Sequence, residues 1–187
     1  MPHIVKSFDQ DLNEIRNVIN QMAGNVESQL SYAIQSIEDR DSILARRIIE
    51  RDIKIDSLYE RVLDLSIRLF ALRQPMANDL RFVISTNKIS ADIERIGDQT
   101  KNIAKASKWL AEIPISKNVL SISNLSKLVQ DSFKRVVNAY NEKDSSKAKK
   151  IWLQDTEINK GYDILFRETL IYMLEDPKNI ASCSQIL

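Results

Sequence analysis

Glycine and proline are scarce, three and four among 187 residues, or about 4% of the chain, where an average protein carries roughly 12%. So few turn-formers leave little for hairpins and argue for long helices. The single cysteine, Cys183, excludes an internal disulfide and fits a reducing compartment. The single histidine, His3, lies in the N-terminal tail. Neither a Ser-His-Asp triad nor a di-iron bundle built on Glu-x-x-His is therefore available. Three scattered glycines make no phosphate-cradling loop. Charge of either sign is not in excess: 27 Lys+Arg against 26 Asp+Glu leave a net charge of +1. That removes the global field that draws a protein to nucleic acid or an anionic membrane. The longest stretches without Asp, Glu, Lys or Arg, such as Asn17 to Val26, are 10 residues, and a membrane-spanning helix needs roughly 20. The N-terminus, Met1-Pro2-His3-Ile4-Val5-Lys6, has no apolar core of a secretory signal. A cytoplasmic protein with no nucleic-acid partner and no membrane insertion is expected.

What is present is helical spacing punctuated by Pro75, Pro114 and Pro177. From Phe8 the apolar stripe runs Leu12, Ile15, Ile19, Met22, Val26, Leu30, Ala33, Ile37, in steps of three and four, which predicts a first long helix. Glu38 to Ser42 break it, and Asp41 or Ser42 can cap the next. Ile48, Ile55, Leu58, Val62, Leu65, Leu69 and Leu72 mark a second helix as the seam of a bundle. After Pro75 a third carries Phe82, Ile89, Ile93, Ile96 and Ile103 on one face and Leu80, Ile84 and Ala91 on the other, so cover on both sides is expected.

The second half repeats the first. Laid over residues 133–162 without a gap, residues 30–59 match at an offset of 103: Asp41, Ser42, Ala45, Ile48, Asp52, Ile55 and Tyr59 recur as Asp144, Ser145, Ala148, Ile151, Asp155, Ile158 and Tyr162. Arg40, Arg46 and Arg47 become Lys143, Lys149 and Lys150, and Asp56 becomes Asn159. Seven identities exceed the roughly two expected by chance, so the chain reads as a duplicated three-helix unit. The expected fold is all-α, two tandem three-helix bundles, residues 1–113 and 114–187. Because only residues 178–187 follow Pro177, the second bundle is expected to stop before its third helix and to leave an uncovered apolar groove.

Four carboxylates stand out. Asp52 and Asp56 on the second helix, and Glu94 and Asp98 on the third, are each spaced i, i+4, which sets both side chains of a pair on one face. Chance placement of 26 acidic residues gives about as many such pairs as the chain has, so the spacing alone carries no weight. Position does: Asp52 sits beside the apolar seam and recurs as Asp155. A half-buried acidic cluster is costly without cations, and oxygen-only ligation suits hard metals such as Mg, Ca, Mn or Fe. Gly97, inside a helix, costs roughly 1 kcal/mol relative to Ala and points to a close neighbour, more simply a packed helix than a ligand. Lys143, Lys147, Lys149 and Lys150 form a basic run at the turn between the fourth and fifth helices, either a solvated face or a protein-docking edge. Cys183 reads as a small apolar residue.

The segments Arg73-Gln74-Pro75-Met76-Ala77-Asn78-Asp79-Leu80-Arg81, Lys88-Ile89 and Glu94-Arg95-Ile96-Gly97-Asp98, followed by Asn102-Ile103, closely resemble the PhoU family of phosphate-transport accessory and regulatory proteins. Glu94 to Asp98 is similar to that family's Glu-x-x-x-Asp metal motif, and Asp52-Ile53-Lys54-Ile55-Asp56 to its partner motif on the preceding helix. The resemblance implies two three-helix bundles related by a pseudo-twofold. It also implies a metal cluster at Asp52, Asp56, Glu94 and Asp98, with iron, zinc or magnesium as occupant. Of a second metal site, Asp155 and Asn159 keep half, and the family's second Glu-Arg-x-Gly-Asp motif does not occur in the chain.

The function implied by the resemblance is a non-enzymatic negative regulator. It would couple the ATPase of the phosphate ABC transporter to a phosphate-sensing histidine kinase, as a homodimer at the cytoplasmic side of the inner membrane. Two alternatives stand beside it: a carboxylate-metal phosphoesterase, in which clustered acids and a metal activate water, and a non-functional structural fragment.

Overall fold

The structure, a computed structural model, describes residues 2–73, 75–112 and 119–187. They form α1 (Pro2–Glu38), α2 (Ser42–Arg51), α3 (Ile53–Arg73), α4 (Ala77–Leu110), α5 (Val119–Glu142), α6 (Ser145–Leu153) and α7 (Asp155–Glu175), then a 3₁₀ turn (Pro177–Asn179) and α8 (Ile180–Ile186). All regular structure among the described residues is helical, as the composition requires. Pro75 lies in the break between α3 and α4, and Pro177 opens the 3₁₀ turn at a position that needs no N–H. Pro114 and the 113/114 repeat boundary fall outside the described residues.

The sequence repeat is reproduced in the backbone, atom for atom, at the first corner of each copy. Arg40 ends α1 at φ 54° and Lys143 ends α5 at φ 55°. Asp41 N–H donates to Ser36 O and Asp144 N–H to Ala139 O, both at 3.0 Å; Arg40 N–H donates to Ile37 O at 3.3 Å and Lys143 N–H to Tyr140 O at 3.1 Å. This bond pair is the Schellman helix stop, here with a basic residue where glycine is usual. The following aspartate then caps the next helix: Asp41 Oδ1 accepts from Ile43 N–H and Leu44 N–H, and Asp144 Oδ1 from Lys147 N–H, each at 2.9 Å.

Two expectations need correction. The second helix is not continuous: Asp52 separates α2 from α3, its C=O accepting from Ile55 N–H at 2.7 Å and from Asp56 N–H at 3.3 Å. This tightened turn keeps the three-four phase of the stripe, so periodicity passes through it unmarked. Gln154, which matches Arg51 and so lies one residue earlier in the register, makes the break between α6 and α7. Nor is α4 covered on both sides, since Leu80 and Ile84 are exposed. Its buried seam is Val83, Thr86, Ser90, Ile93, Gly97, Thr100, Ala104 and Ser107, in alternating steps of three and four. Most of these residues are small or hydroxyl-bearing, so the seam is nearly silent on a hydrophobicity scale while letting neighbours approach closely.

By contact the chain divides into two compact units. The first holds residues up to Ser28 and Glu50–Gln99. Its core includes Ile15, Ile19, Met22, Val26, Ile55, Val62, Leu69 and Val83. Ser66 Oγ bridges Val62 O and Asn87 Oδ1 at 2.8 Å each, and the Arg16 guanidinium lies 4.6 Å over the Phe82 ring.

The second unit holds Gln29–Ile49 and Thr100–Leu187. Ala33, Ile48 and Ala104 form a buried cluster with Leu44, Ile49 and Ile103 packed on it. Ser36 Oγ donates to Ser107 Oγ at 2.8 Å, and the Arg40 guanidinium caps α4 through the Leu110 and Ala111 carbonyls at 3.3 Å. An apolar cavity of about 220 Å³ lies among Leu30, Ile34, Leu110, Leu125, Leu165 and Ile186. The later repeat is the less covered one. Ala45, fully buried, corresponds to exposed Ala148, and buried Ile55 to partly exposed Ile158. Trp152 and Leu174 stand 72% and 85% exposed. No helix among the described residues is long and apolar enough to cross a membrane.

Candidate functional site

Asp52, Asp56, Glu94 and Asp98 all fall in the first unit, on the turn before α3, on α3 and on α4. The tightened turn at Asp52 places that side chain in the interior at 1% exposure, while Asp56 and Glu94 are half-buried and Asp98 is exposed. The four carboxylates act on one another. Burial raises the Glu94 carboxyl above the ordinary carboxylate range, and the negative charges of Asp98, Asp56 and Asp52 raise it further, as does a side-chain hydrogen bond with Asp98. This is the electrostatic signature of concentrated negative charge that a cation would relieve, and an all-oxygen donor set suits a hard ion. As they stand, though, no three His, Cys, Asp or Glu side chains among the described residues come together as a group able to hold a metal. The donor chemistry fits a hard ion.

Gly97, between the two α4 carboxylates, is there for packing. A Cβ at that position would lie 3.0 Å from Ile55 Cδ1 and 3.3 Å from Ile55 Cγ2. The missing side chain lets α4 approach α3 and carries Glu94 and Asp98 with it.

The residues of the second candidate metal site, Asp155 and Asn159, are both exposed on α7, where Asn159 Nδ2 approaches Asp155 Oδ2 at 3.5 Å. The structure brings them to each other and not to a further carboxylate cluster among the described residues. The basic run divides. Lys143 is the left-handed residue that ends α5, and Lys149 is exposed on α6. Lys147 and Lys150 face a pocket of about 310 Å³ that they share with Arg135, Asn138, Glu142 and Ile151. Within it Lys147 is paired with Glu142, and contact with that carboxylate raises the ammonium above its ordinary value. Arg135 is held by Gln154 and by Asp131 at 3.5 Å. Sequence reasoning missed Arg135 and Asn138, which lie a full helical turn or more before the basic run; their spacing to the corner, read with the hairpin, was the available signal. Cys183, 1% exposed, is a packed side chain whose thiol burial pushes up.

The PhoU domain matches residues 19–107 and 122–187. The phosphate-specific transport system accessory protein PhoU homolog of Caulobacter vibrioides is 39% identical over 186 residues, 99% of this chain and 81% of its own. The phosphate-specific transport system accessory protein PhoU of Escherichia coli is 32% identical over 96% of this chain and 75% of its own. Among solved structures, PhoU from Pseudomonas aeruginosa superposes with a TM-score of 0.91 at 30% identity, covering 96% of this chain and 86% of that one. The phosphate transport system regulatory protein PhoU from Streptococcus pneumoniae gives 0.88 at 29% identity, over 96% and 84%. With the domain matched in both repeats and the fold shared along nearly its whole length, this chain belongs to the PhoU family.

Proposed function

We propose that this chain is an accessory and regulatory protein of phosphate uptake that works by binding other proteins rather than by catalysis. The observation that carries the reading is its 39% identity, over 99% of its length, to a relative named for that role. In this reading it is an adaptor on the cytoplasmic side of the inner membrane. It couples the ATPase of the phosphate ABC transporter to a phosphate-sensing histidine kinase and keeps the starvation response off when phosphate is plentiful. The apolar residues left bare on α6 and α7, Trp152, Leu153 and Leu174 among them, supply surface for a partner or for a second copy of the chain. Affinity capture from phosphate-replete membrane extracts tests the reading: the tagged chain should retain the transport ATPase or the kinase, and recovery of neither would overturn it.

The same reading gives the carboxylate cluster a metal, with iron, zinc or magnesium as candidates. What supports it is the hard donor set and the mutual repulsion felt at Glu94. Asp52, Asp56, Glu94 and Asp98 would hold the ion, which would offset their negative charge and fix α3 against α4. Replacing Glu94 and Asp98 together with alanine should lower the metal bound per chain, measured by elemental analysis after loading. Equal metal content in the variant and the parent would remove the assignment.

A further inference from the structure

The pocket at the α5–α6 corner belongs to neither the carboxylate cluster nor the apolar face. Arg135, Asn138 and Glu142 of α5 and Lys147, Lys150 and Ile151 of α6 line an open depression of about 310 Å³, at the lower end of the range of small-ligand sites. We propose that it binds a phosphate group, as the free ion or as a small phosphate ester.

Three observations carry the proposal. The first is charge. The walls carry three cations and one carboxylate, and with Asp131 paired to Arg135 one net positive charge remains to meet an anion, centred on Lys150. The second is the donor set. A guanidinium presents a planar fork to paired oxygens while two ammoniums supply point charges, the combination suited to phosphate oxygens. Gln154 and Asp131 hold the fork in place. Lys150 makes no ion pair among the described residues and is available to a ligand. The third is the repeat. The first corner has the same helix stop and cap, yet Arg135 corresponds there to Tyr32 and Lys147 to Leu44, with only Lys150 matched by a basic residue, Arg47. Leu44 packs against the Ala33, Ile48 and Ala104 cluster. The same helix stop and cap thus form at the first corner with no cation at either of those two positions.

Glu142 gives the site an internal competitor. Its carboxylate occupies Lys147, and a phosphate must take that ammonium over. Removing the carboxylate should tighten binding, a change of opposite sign to loss of a cation.

Equilibrium dialysis of the full chain at physiological salt, against radiolabelled inorganic phosphate and separately against glycerol 3-phosphate, tests the proposal. Saturable one-to-one binding is expected. Arg135→Gln with Lys150→Gln should weaken it about tenfold or more, and Glu142→Gln should strengthen it. All three positions are exposed, so the thermal transition should stay in place and report that the variants fold. Tighter binding of the inorganic ion assigns the site to free phosphate; tighter binding of glycerol 3-phosphate assigns it to an ester. No saturation by either probe, an unchanged affinity in the double variant, or weaker binding by Glu142→Gln would overturn the proposal. So would binding of an acidic peptide alone, which would make the corner a protein-docking edge. The inference is independent of the accessory role: dialysis can fail while capture of the transport ATPase succeeds, and the reverse.

Discussion

At the scale of single residues, Gly97 and Ile55 form a lock. Alanine at Gly97 gains roughly 1 kcal/mol of helix propensity, but its Cβ meets Ile55 at 3.0 and 3.3 Å, and Ile55 is completely buried. Overpacking of that kind costs about 1–3 kcal/mol. Gly97→Ala should therefore destabilise the protein by about 1 kcal/mol in urea unfolding. Ile55→Val, which removes the nearer methyl, should make the double variant more stable than the sum of the single effects. Strict additivity would mean that the contact does not exist. Cys183 gives a second residue-scale expectation. Its buried thiol holds a proton more tightly in the folded state than in the unfolded one, so its contribution to stability is present below the ordinary thiol pKa and is lost as pH rises through the folded value. Alkylation at mildly alkaline pH should be much slower in the native protein than in urea; equal rates would contradict the burial. The small-residue role of Cys183 was legible in sequence. The environment of Asp52 was legible only in part, because a position beside a stripe does not reveal how far a turn drives a side chain inward.

At the scale of elements, the repeat was the most legible feature, and the structure extends it from identities to hydrogen bonds. Asp41 was readable as one of two candidate caps, beside Ser42, because a short acceptor followed a charged break, and the structure places the cap at Asp41 and at its repeat partner Asp144. The left-handed Arg40 and Lys143 were not readable, since glycine usually marks that place. A non-glycine residue there carries strain, so Lys143→Gly should raise stability by about 0.5–1 kcal/mol. Arg40→Gly should gain less or lose, because it also removes the guanidinium that caps α4 at Leu110 and Ala111. Paired chemical denaturation would check the ordering, and equal gains at both corners would count against the capping role. The breaks at Asp52 and Gln154 and the seam of α4 were missed for related reasons. A turn that preserves phase leaves no gap in a periodicity, and a seam of serine, threonine, alanine and glycine has little hydrophobicity to be periodic in.

At the scale of the whole molecule, the all-α class and the family were legible. The unequal cover of the two repeats was foreseen as an apolar groove. The basic pocket is built within one helix pair, between faces that periodicity does not bring together, whereas the 220 Å³ cavity depends on side chains from helices far apart in sequence. Ala106 lines that cavity, and Ala106→Leu would put three more carbons into it. A gain of about 1 kcal/mol is expected, read as a higher Tm; a lower Tm would mean that the space cannot take the added volume. The duplicated corner has one further use. The Asp41 and Asp144 amides make the same bond, at the same 3.0 Å, to residues in register. Differences in helix-stop chemistry are thereby nearly cancelled between them. Their hydrogen-exchange rates form a matched pair of gauges within one chain, and a slower rate at Asp41 would measure, in free energy of local opening, what covering Ala45 adds to one copy and is missing at Ala148 in the other.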